Sequence, residues 1–370
     1  HHDEAEEVRF GGTISPRWDS NGKYTAKHVG YQSVLAVPRD MLIAGYDNTQ
    51  VNTLRLWDAR SPQYLDMYLF SSGEYVKSME QRTMAEVITK VLYPADDHME
   101  GKTLRLKQQY FFVSATAQSI LRDHRKQWGE VRNFHEHHVI QINDTHPTLI
   151  IPELMRILMD EDGLGWDEAW DIVCRTVAYT NHTVMSEALE KWPQDLVQMT
   201  LPRIWEITCE INKRWRETLI KWYGEGELVG RNLIIHNGQV HMANLCLAAC
   251  YRVNGVSGLH GDILKRDIFK DVCAKQPDKF TYVTNGIDHR RWLSQVNPAL
   301  HELIADLIGE GYLTHPEELE RLEAFREDDS VLKRLEEIKL ANKARFEQFA
   351  AKQQAGFVMD PSAVLDVQAK

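Results

Sequence analysis

The sequence predicts an α/β protein with a parallel sheet, because a strand, a polar loop and a helix follow one another repeatedly along the chain. Three short apolar runs each lead into a polar loop. These predicted strands and the loops that follow them are 139–142 with 143–147, 176–179 with 180–183, and 280–283 with 284–286. Because ligands of such sheets bind at the carboxyl ends of the strands, the three loops are the first place to look for a site.

The residues before this repeat are predicted to be β-rich and then helical. Asn21-Gly22 is a hairpin turn signal between two short strands, and further strands are expected at 34–37 and 51–57. Apolar residues then recur at helical spacing over 74–91 and again over 104–125.

The remaining segments are mostly helical in their pattern. After the second strand we expect a helix over 186–192, helices over 194–224, a turn at Asn237-Gly238 and an apolar helix over 242–253. Charged amphipathic helix dominates 299–351. The first residue is not Met and the last run has strand character, so we expect an internal portion of a longer protein.

The composition favours an ordinary globular protein. Hydrophobic residues make up 43% and charged residues 26% of 370 residues, and the formal net charge of −11 disfavours nucleic-acid binding. No apolar run reaches the length of a membrane span and no signal peptide is recognisable. The 5 cysteines lack disulfide or zinc spacing, which favours a reducing cytoplasm.

Metal and phosphate-loop motifs are not found. His135, His137 and His138 alternate like strand-borne ligands, but no Cys or Glu partner stands at a recognised spacing, so a polar loop is favoured over a metal site. The phosphate-loop, dinucleotide and serine-hydrolase glycine motifs are also missing.

The three strand ends supply polar side chains that suit a ring of hydroxyls. They are Asp144 and His146 after the first strand, Asn181, His182 and Thr183 after the second, and Asn285 after the third. A sugar hydroxyl both donates and accepts, so it needs such mixed partners. For any single residue a structural role is the alternative, with Asp144 as a helix cap and His182 as a core histidine.

An acidic, turn-rich segment at 94–101 precedes the second long helix. It carries Asp96 and Asp97, and it could gate a cleft with Arg105 paired to one of the carboxylates. The alternative is a solvated loop at the start of a helix.

Several long segments resemble the glycogen and maltodextrin phosphorylases. They are VNTLRLW at 51–57, VLYP at 91–94, EGKTLRLKQ at 100–108, QINDTHP at 141–147, IPELMR at 151–156, AYTNHTV at 178–184, EALEKWP at 187–193, TNGI at 284–287, RRW at 290–292 and DVQAK at 366–370. They keep the order and approximate spacing of that family over nearly the whole chain.

The resemblance implies two Rossmann-like domains of the glycosyltransferase-B type. Residues 1–285 would be the later part of the N-terminal domain and 286–370 the beginning of the C-terminal domain. The implied reaction is phosphorolysis of α-1,4-glucans by inorganic phosphate, giving glucose 1-phosphate, with pyridoxal phosphate as cofactor in a cytoplasmic homodimer. The lysine that binds the cofactor is not among these residues, so the fragment alone is expected to be inactive.

The resemblance also assigns roles to individual residues. His182 and Asn285 would contact the glucosyl unit that is transferred. The other implied substrate contacts are Asp96, Asp97, Arg105, Asp144, His146, Thr183 and Glu190, and the implied phosphate contact is Lys370. The helix around 76–91 resembles the one that packs across the dimer interface of the family.

Two positions depart from the vertebrate pattern. Asp97 and His98 replace an amide and an aromatic residue, so the gating loop is expected to differ. In regulated members of the family, an arginine pair at the positions of Arg122 and Asp123 serves nucleotide activation. Here the second of these residues is acidic, which predicts an unregulated enzyme of the bacterial type without nucleotide control. The alternatives are a nucleotide-sugar-dependent glycosyltransferase of the same fold and a non-catalytic glucan-binding or dimerisation module.

Overall fold

The computed structural model describes residues 4–18, 20, 22, 24–63 and 66–366. The described chain forms two compact units. The first runs to Ile43 and resumes from Thr53 to Asn285, and the second combines Ala44–Asn52 with the residues from Gly286 onwards.

The strands of the described residues lie mainly in the first unit. They are β1 (Glu6–Phe10), β2 (Thr13–Trp18), β3 (Tyr24–Val29), β4 (Gln32–Ala44), β5 (Val51–Arg60), β6 (Ile140–Asn143), β7 (Val177–Thr180), β8 (Lys191–Pro193), β9 (Ile235–His236), β10 (Gln239–His241), β11 (Val253–Gly255) and β12 (Phe280–Tyr282).

The α-helices of the described residues are separated by short turns. They are α1 (Met67–Ser71), α2 (Tyr75–Ser78), α3 (Glu80–Glu86), α4 (Met99–Trp128), α5 (Phe134–His137), α6 (Ile150–Arg156), α7 (Trp166–Thr176), α8 (Gln194–Thr200), α9 (Pro202–Tyr223), α10 (Glu227–Asn232), α11 (Met242–Ala249), α12 (Gly258–Ile263), α13 (Lys270–Lys275), α14 (Pro298–Ile308) and α15 (Asp329–Gln353).

A parallel sheet in the order β12-β11-β7-β6 forms the centre of the first unit. Its strands follow one another in the chain with helices between them, so the predicted α/β class is confirmed. Strand β7 is buried on both faces, whereas on the edge strand β6 only Ile142 is fully buried. The predicted helix over 242–253 ends early, because Val253 leaves it and pairs with both Tyr179 and Phe280.

Helix α4 is the longest helix of the described residues and packs on β1 and α6. It begins where the Nδ1 atom of His98 accepts a hydrogen bond from the backbone of Gly101 at 3.0 Å. It ends at Gly129, whose φ of 79° suits glycine. Side chains such as Phe111 are fully buried in the main core. The helix predicted over 104–125 is therefore confirmed, with wider bounds.

The β-rich beginning of the chain is also confirmed. Strands β2 and β3 form an antiparallel hairpin in which Trp18 faces Tyr24, and Asn21 of the predicted turn lies outside the described residues. The hairpin β9–β10 turns at Asn237 and Gly238, with φ values of 51° and 73° that match a tight two-residue turn.

Two predicted helices are wrong in detail. The segment 74–91 is broken into α2, α3 and the 3-10 turn Val87–Thr89 instead of one helix. The segment 186–192 has only a 3-10 turn, Ser186–Ala188, followed by β8. Trp192 pairs with Val240 there, and this sheet contact outweighs the local helical spacing.

The second unit is mostly helical, as its pattern predicts. Its small core contains Ile304, Ile308 and Tyr312, which α14 and the 3-10 segments bring together. The described part of the closing run, 363–366, is not a strand. Among the described residues, no helix is both long and apolar enough to cross a membrane.

Candidate functional site

The register of the parallel sheet brings the ends of its strands to one edge. Asn143 at the end of β6 lies opposite Thr180 at the end of β7, and Thr180 also lies opposite Asn254 on β11. Gly255 pairs with Tyr282 at the end of β12. Every polar loop that follows these strands therefore starts from the same edge, where ligands of such sheets bind.

His182 is exposed at this edge and bound to the neighbouring strand. Its Nε2 atom lies 2.6 Å from Oδ1 of Asn143. Because an amide oxygen only accepts, Nε2 donates this hydrogen bond, while Nδ1 has no hydrogen-bond partner among the described residues. His182 is not a core histidine, and Asn143 is its partner.

The buried side chain of Asn181 fixes the backbone around Thr183. The Asn181 side chain is fully buried, its Nδ2 donates to the hydroxyl of Tyr179 at 2.9 Å, and its Oδ1 accepts from the backbone nitrogen of Thr183 at 2.9 Å. Asn181 thus supports the loop and does not face a ligand, while Thr183 is half-buried above it.

Asp144 has a left-handed backbone with φ of 58°. Its backbone nitrogen donates to the carbonyl of Thr180 at 2.9 Å, and its Oδ1 accepts from the backbone of Thr145 at 2.6 Å. It does not cap α6, which begins at Ile150, so the helix-cap alternative is wrong. The turn instead ties the loop after β6 to the end of β7.

His146 contacts the segment that precedes α4. The ring of Tyr93 meets its imidazole edge to face at 6.0 Å, and the guanidinium of Arg105 lies 4.2 Å from the centre of the same Tyr93 ring. Arg105 therefore stacks on an aromatic ring, where the sequence suggested a paired carboxylate. Tyr93 was not identified from the sequence. A tyrosine before a proline carries no local signal for this contact.

Asp96 and Asp97 are exposed in the segment between Tyr93 and α4. Asp97 lies 4.0 Å from the imidazole of His98, the residue that caps α4. The segment is packed closely on the helix, because a Cβ atom at Gly101 would overlap the carbonyl oxygen of Ala95.

Glu190 is half-buried and bonded to α4. Its Oε2 atom accepts a hydrogen bond from Nε2 of Gln109 at 2.9 Å, and its buried Oε1 atom has no partner among the described residues. It also lines a cavity of about 400 Å³ with Lys191, His236 and His241. No described contact joins it to His182.

Asn285 is exposed just beyond β12, and Lys370 lies outside the described residues. The backbone nitrogen of Val283 donates to the carbonyl of Gly255 at 3.0 Å. This bond fixes the chain two residues before Asn285 to the end of β11.

A row of polar side chains crosses the sheet just below the edge. Gln141 donates to the hydroxyl of Thr180 at 2.7 Å, and this hydroxyl donates to Oδ1 of Asn254 at 2.8 Å. Asn254 was not identified from the sequence, because it lies on a strand of only three residues that begins where the predicted helix over 242–253 ends.

The cysteines and histidine clusters elsewhere have structural surroundings. Burial raises the pKa of Cys174 to about 12 and that of Cys250 well above its ordinary value, so these thiols are unreactive. His137 belongs to α5 and stacks on Trp128 at 4.1 Å, so the alternating histidines are not strand-borne. The described residues contain no cluster of three or more side chains suited to a metal ion.

The fold and the edge residues define an α/β protein that presents imidazole, amide, hydroxyl and carboxylate groups at the carboxyl edge of a parallel sheet. The model of the carbohydrate phosphorylase family matches residues 1–370. The chain belongs to the carbohydrate phosphorylase family, which confirms the resemblance read from the motifs.

Named relatives agree with this assignment. The chain is 44% identical over 356 residues to the liver form of glycogen phosphorylase from Homo sapiens, covering 93% of this chain and 42% of that protein. It is 42% identical over 357 residues to the muscle form from Bos taurus, with 93% and 42% covered. The chain thus spans less than half the length of these relatives.

Proposed function

We propose that the protein is an α-1,4-glucan phosphorylase, which cleaves glycogen or maltodextrin with inorganic phosphate and releases glucose 1-phosphate. The family membership and the names of the relatives support this activity. The structural observation that carries it is the 2.6 Å contact between His182 and Asn143, which joins two strand ends of the carboxyl edge and leaves the imidazole exposed.

The residues divide into three groups of contacts. His182 and Asn285 contact the glucosyl unit at the reacting centre, and hydrogen bonds to its hydroxyls strengthen as the ring gains oxocarbenium character. The remaining substrate contacts are Asp144, His146, Thr183 and Glu190, with Asp96, Asp97 and Arg105 on the gating segment. Lys370 is the contact for phosphate.

Pyridoxal phosphate is the cofactor that the family implies, and its phosphate group would supply a proton shuttle to inorganic phosphate. Among the described residues, the candidate attachment points are the two lysines whose pKa is lowered by burial. Burial lowers the pKa of Lys107 and Lys279, but the first contacts Gln32 and the second donates to the carbonyl of Leu247, away from the carboxyl edge. We place the cofactor-binding lysine outside these residues.

The whole protein is proposed to have the two-domain glycosyltransferase-B fold, with the domain boundary near residue 285. The division of the described chain into compact units after Asn285 supports this boundary, although Ala44–Asn52 groups with the later residues. We further propose a cytoplasmic location, since all five cysteines are free thiols.

A homodimer is proposed through the segment 76–91. This segment exposes Val76, Val87 and Val91, whose exposed fractions are 87%, 41% and 71%. Apolar side chains exposed together in this way are typical of an interface.

Nucleotide activation is proposed to be absent. Arg122 donates to Glu6 and lies 3.5 Å from a carboxylate oxygen of Asp123. These carboxylates neutralise the guanidinium group that an anionic activator would need.

The activity is tested by following glucose 1-phosphate formation from maltodextrin and inorganic phosphate. The intact protein loaded with pyridoxal phosphate should be active, and His182→Ala should lower kcat about 100-fold, since one lost transition-state hydrogen bond has that effect. His315→Ala is the matched control, because it removes the same type of side chain at an exposed position that has no proposed contact with the substrate. A folded, loaded protein that makes no glucose 1-phosphate would instead favour the non-catalytic glucan-binding module.

A further inference from the structure

One buried histidine connects the segment after β11 with the loop after β7 at the carboxyl edge. His260 is 6% exposed and lies on α12, the helix that follows β11. Its Nδ1 atom accepts a hydrogen bond from the backbone nitrogen of Val256 at 3.1 Å. Its Nε2 atom lies 3.1 Å from both Oδ1 of Asn181 and the carbonyl oxygen of Thr183.

These contacts fix the protonation of the ring. A backbone nitrogen can only donate, so Nδ1 must hold a lone pair. A carbonyl oxygen can only accept, so Nε2 must carry the proton that is shared between Asn181 and Thr183. The ring is therefore neutral, and both of its nitrogens are satisfied inside the protein.

The position of the ring is strongly constrained by its own turn. The hydroxyl of Ser257 accepts from the backbone nitrogen of His260 at 3.1 Å and caps α12. A Cβ atom at Gly255 would lie 2.9 Å from the nitrogen of Gly261, so the backbone at Gly255 packs directly against the backbone of α12. The carbonyl oxygen of Gly255 also accepts a hydrogen bond from the backbone nitrogen of Val283, two residues before Asn285.

The partner of the ring is equally fixed. Asn181 is fully buried and donates to the hydroxyl of Tyr179, and burial raises the pKa of that tyrosine so that its hydroxyl stays neutral. In the network from Tyr179 through Asn181 to His260, each side-chain nitrogen and oxygen has a hydrogen-bond partner. Satisfied buried networks of this kind hold a single arrangement.

We propose that His260 is a positioning residue that holds the Asn181 side chain and the Thr183 carbonyl, on the two sides of His182, and thereby orients this imidazole toward the glucosyl unit. His182 stands between Asn181 and Thr183, and the Nε2 proton of His260 contacts both of these neighbours. This role rests on the proposed function, since His182 is assigned its contact there.

Three variants of the intact protein separate positioning from a merely structural role. The amide nitrogen of glutamine takes the place of Nε2, so His260→Gln keeps the donor to Asn181 and Thr183. Asparagine reaches only the position of Nδ1, so His260→Asn keeps the contact to Val256 and loses the donor. His260→Leu loses both.

We expect His260→Gln to stay within about threefold of the wild-type kcat, and the other two variants to lose about 10- to 100-fold, as misplaced catalytic groups do. The KM for maltodextrin should change less than kcat. Hydrogen exchange of a peptide covering 181–186 should accelerate about tenfold in His260→Asn and His260→Leu and remain slow in His260→Gln.

Equal behaviour of the glutamine and asparagine variants in both measurements would overturn the proposal, even if His260→Leu does not fold. A lowered melting temperature with unchanged kcat and unchanged exchange would show a structural role only. If the wild-type protein makes no glucose 1-phosphate, the proposed function fails. The exchange measurements still decide whether His260 positions the loop.

Discussion

At the scale of single residues, the motif IPELMR shows how one buried charge is accommodated. Glu153 is fully buried on α6. Its two oxygens accept from the hydroxyls of Tyr110 and Ser114, each at 2.7 Å, and from two nitrogens of Arg156 at 2.9 and 2.8 Å. Burial, together with the charge of Glu153, raises the pKa of Tyr110, so this hydroxyl remains a donor.

Glu153→Ala is therefore expected to destabilise the protein by about 3–5 kcal/mol, because Arg156 would be left without its buried partner. Urea unfolding followed by circular dichroism measures the free energy of unfolding. Glu161→Gln is the control, since Glu161 pairs with the outer nitrogen of Arg156 and is 45% exposed. This control should cost about 1 kcal/mol or less. Equal losses in the two variants would contradict the assignment of Glu153 as the central partner.

The residues of the carboxyl edge were mostly predictable as residue types and not as contacts. Asp144, His146, His182 and Thr183 stand out because they follow apolar runs. Nothing near Asn143 in the sequence shows that it faces His182, since these residues are brought together only by the pairing of β6 with β7.

At the scale of elements, the start of α4 fixes the backbone of the segment 94–98, for which a gating role is proposed. The helix cap at His98 and the close approach of Gly101 to Ala95 fix the backbone that carries Asp96 and Asp97. The signal for this packing in the sequence is only a glycine in the first turn of a helix, where alanine would ordinarily be preferred.

Gly101→Ala is a direct test of this packing. Helix propensity alone predicts a gain of about 0.5–1 kcal/mol, whereas overlap with the Ala95 carbonyl predicts a loss of about 1–3 kcal/mol. We expect the loss, together with faster proteolysis within 94–98, measured by urea unfolding and by mass spectrometry of limited digests.

The matched control is Gly165→Ala at the start of α7, where an added Cβ meets nothing within 4 Å. A more stable Gly101→Ala protein with unchanged proteolysis would show that the segment moves aside without cost.

Other elements show where local patterns fail. The segment 186–192 has helical spacing, yet Trp192 is held in β8 by its pairing with Val240. Strand β11 is only Val253–Gly255, and it exists because β7 and β12 pair with it on both sides. Short strands between long-range partners carry little signal of their own.

At the scale of the whole molecule, the pH dependence of stability follows from half-buried histidines. Burial lowers the pKa of His28, His138 and His241 below the ordinary value of 6.5. Below pH 6.5 the unfolded chain therefore binds protons that the folded protein does not, and the free energy of unfolding falls as the pH drops. The carboxyls of Glu7 and Asp271, whose pKa values are lowered, lose their contribution only below about pH 4.5.

Urea unfolding at pH 7.5, 6.0 and 5.0 should show this decrease. The triple variant His28→Gln, His138→Gln and His241→Gln should have a flatter profile over the same range, because glutamine does not titrate. An identical slope in the wild type and the triple variant would assign the decrease to other groups.

The sequence by itself determined the family and the α/β class. It also determined most of the long helices and the longer strands. These features follow from local periodicity and from long motifs, which are written in consecutive residues. Tight turns such as Asn237-Gly238 were also determined by the local sequence, because a positive φ depends on the one or two residues of the turn.

Only the tertiary structure decided which polar groups meet. The pairing of His182 with Asn143, the stacking of Arg105 on Tyr93, and the support of Asn181 by His260 join residues between 12 and 79 positions apart in the chain. Such contacts depend on strand register and on the placement of whole elements in the sheet. A pattern within a short window of sequence does not contain this information, because it arises from pairing between distant segments.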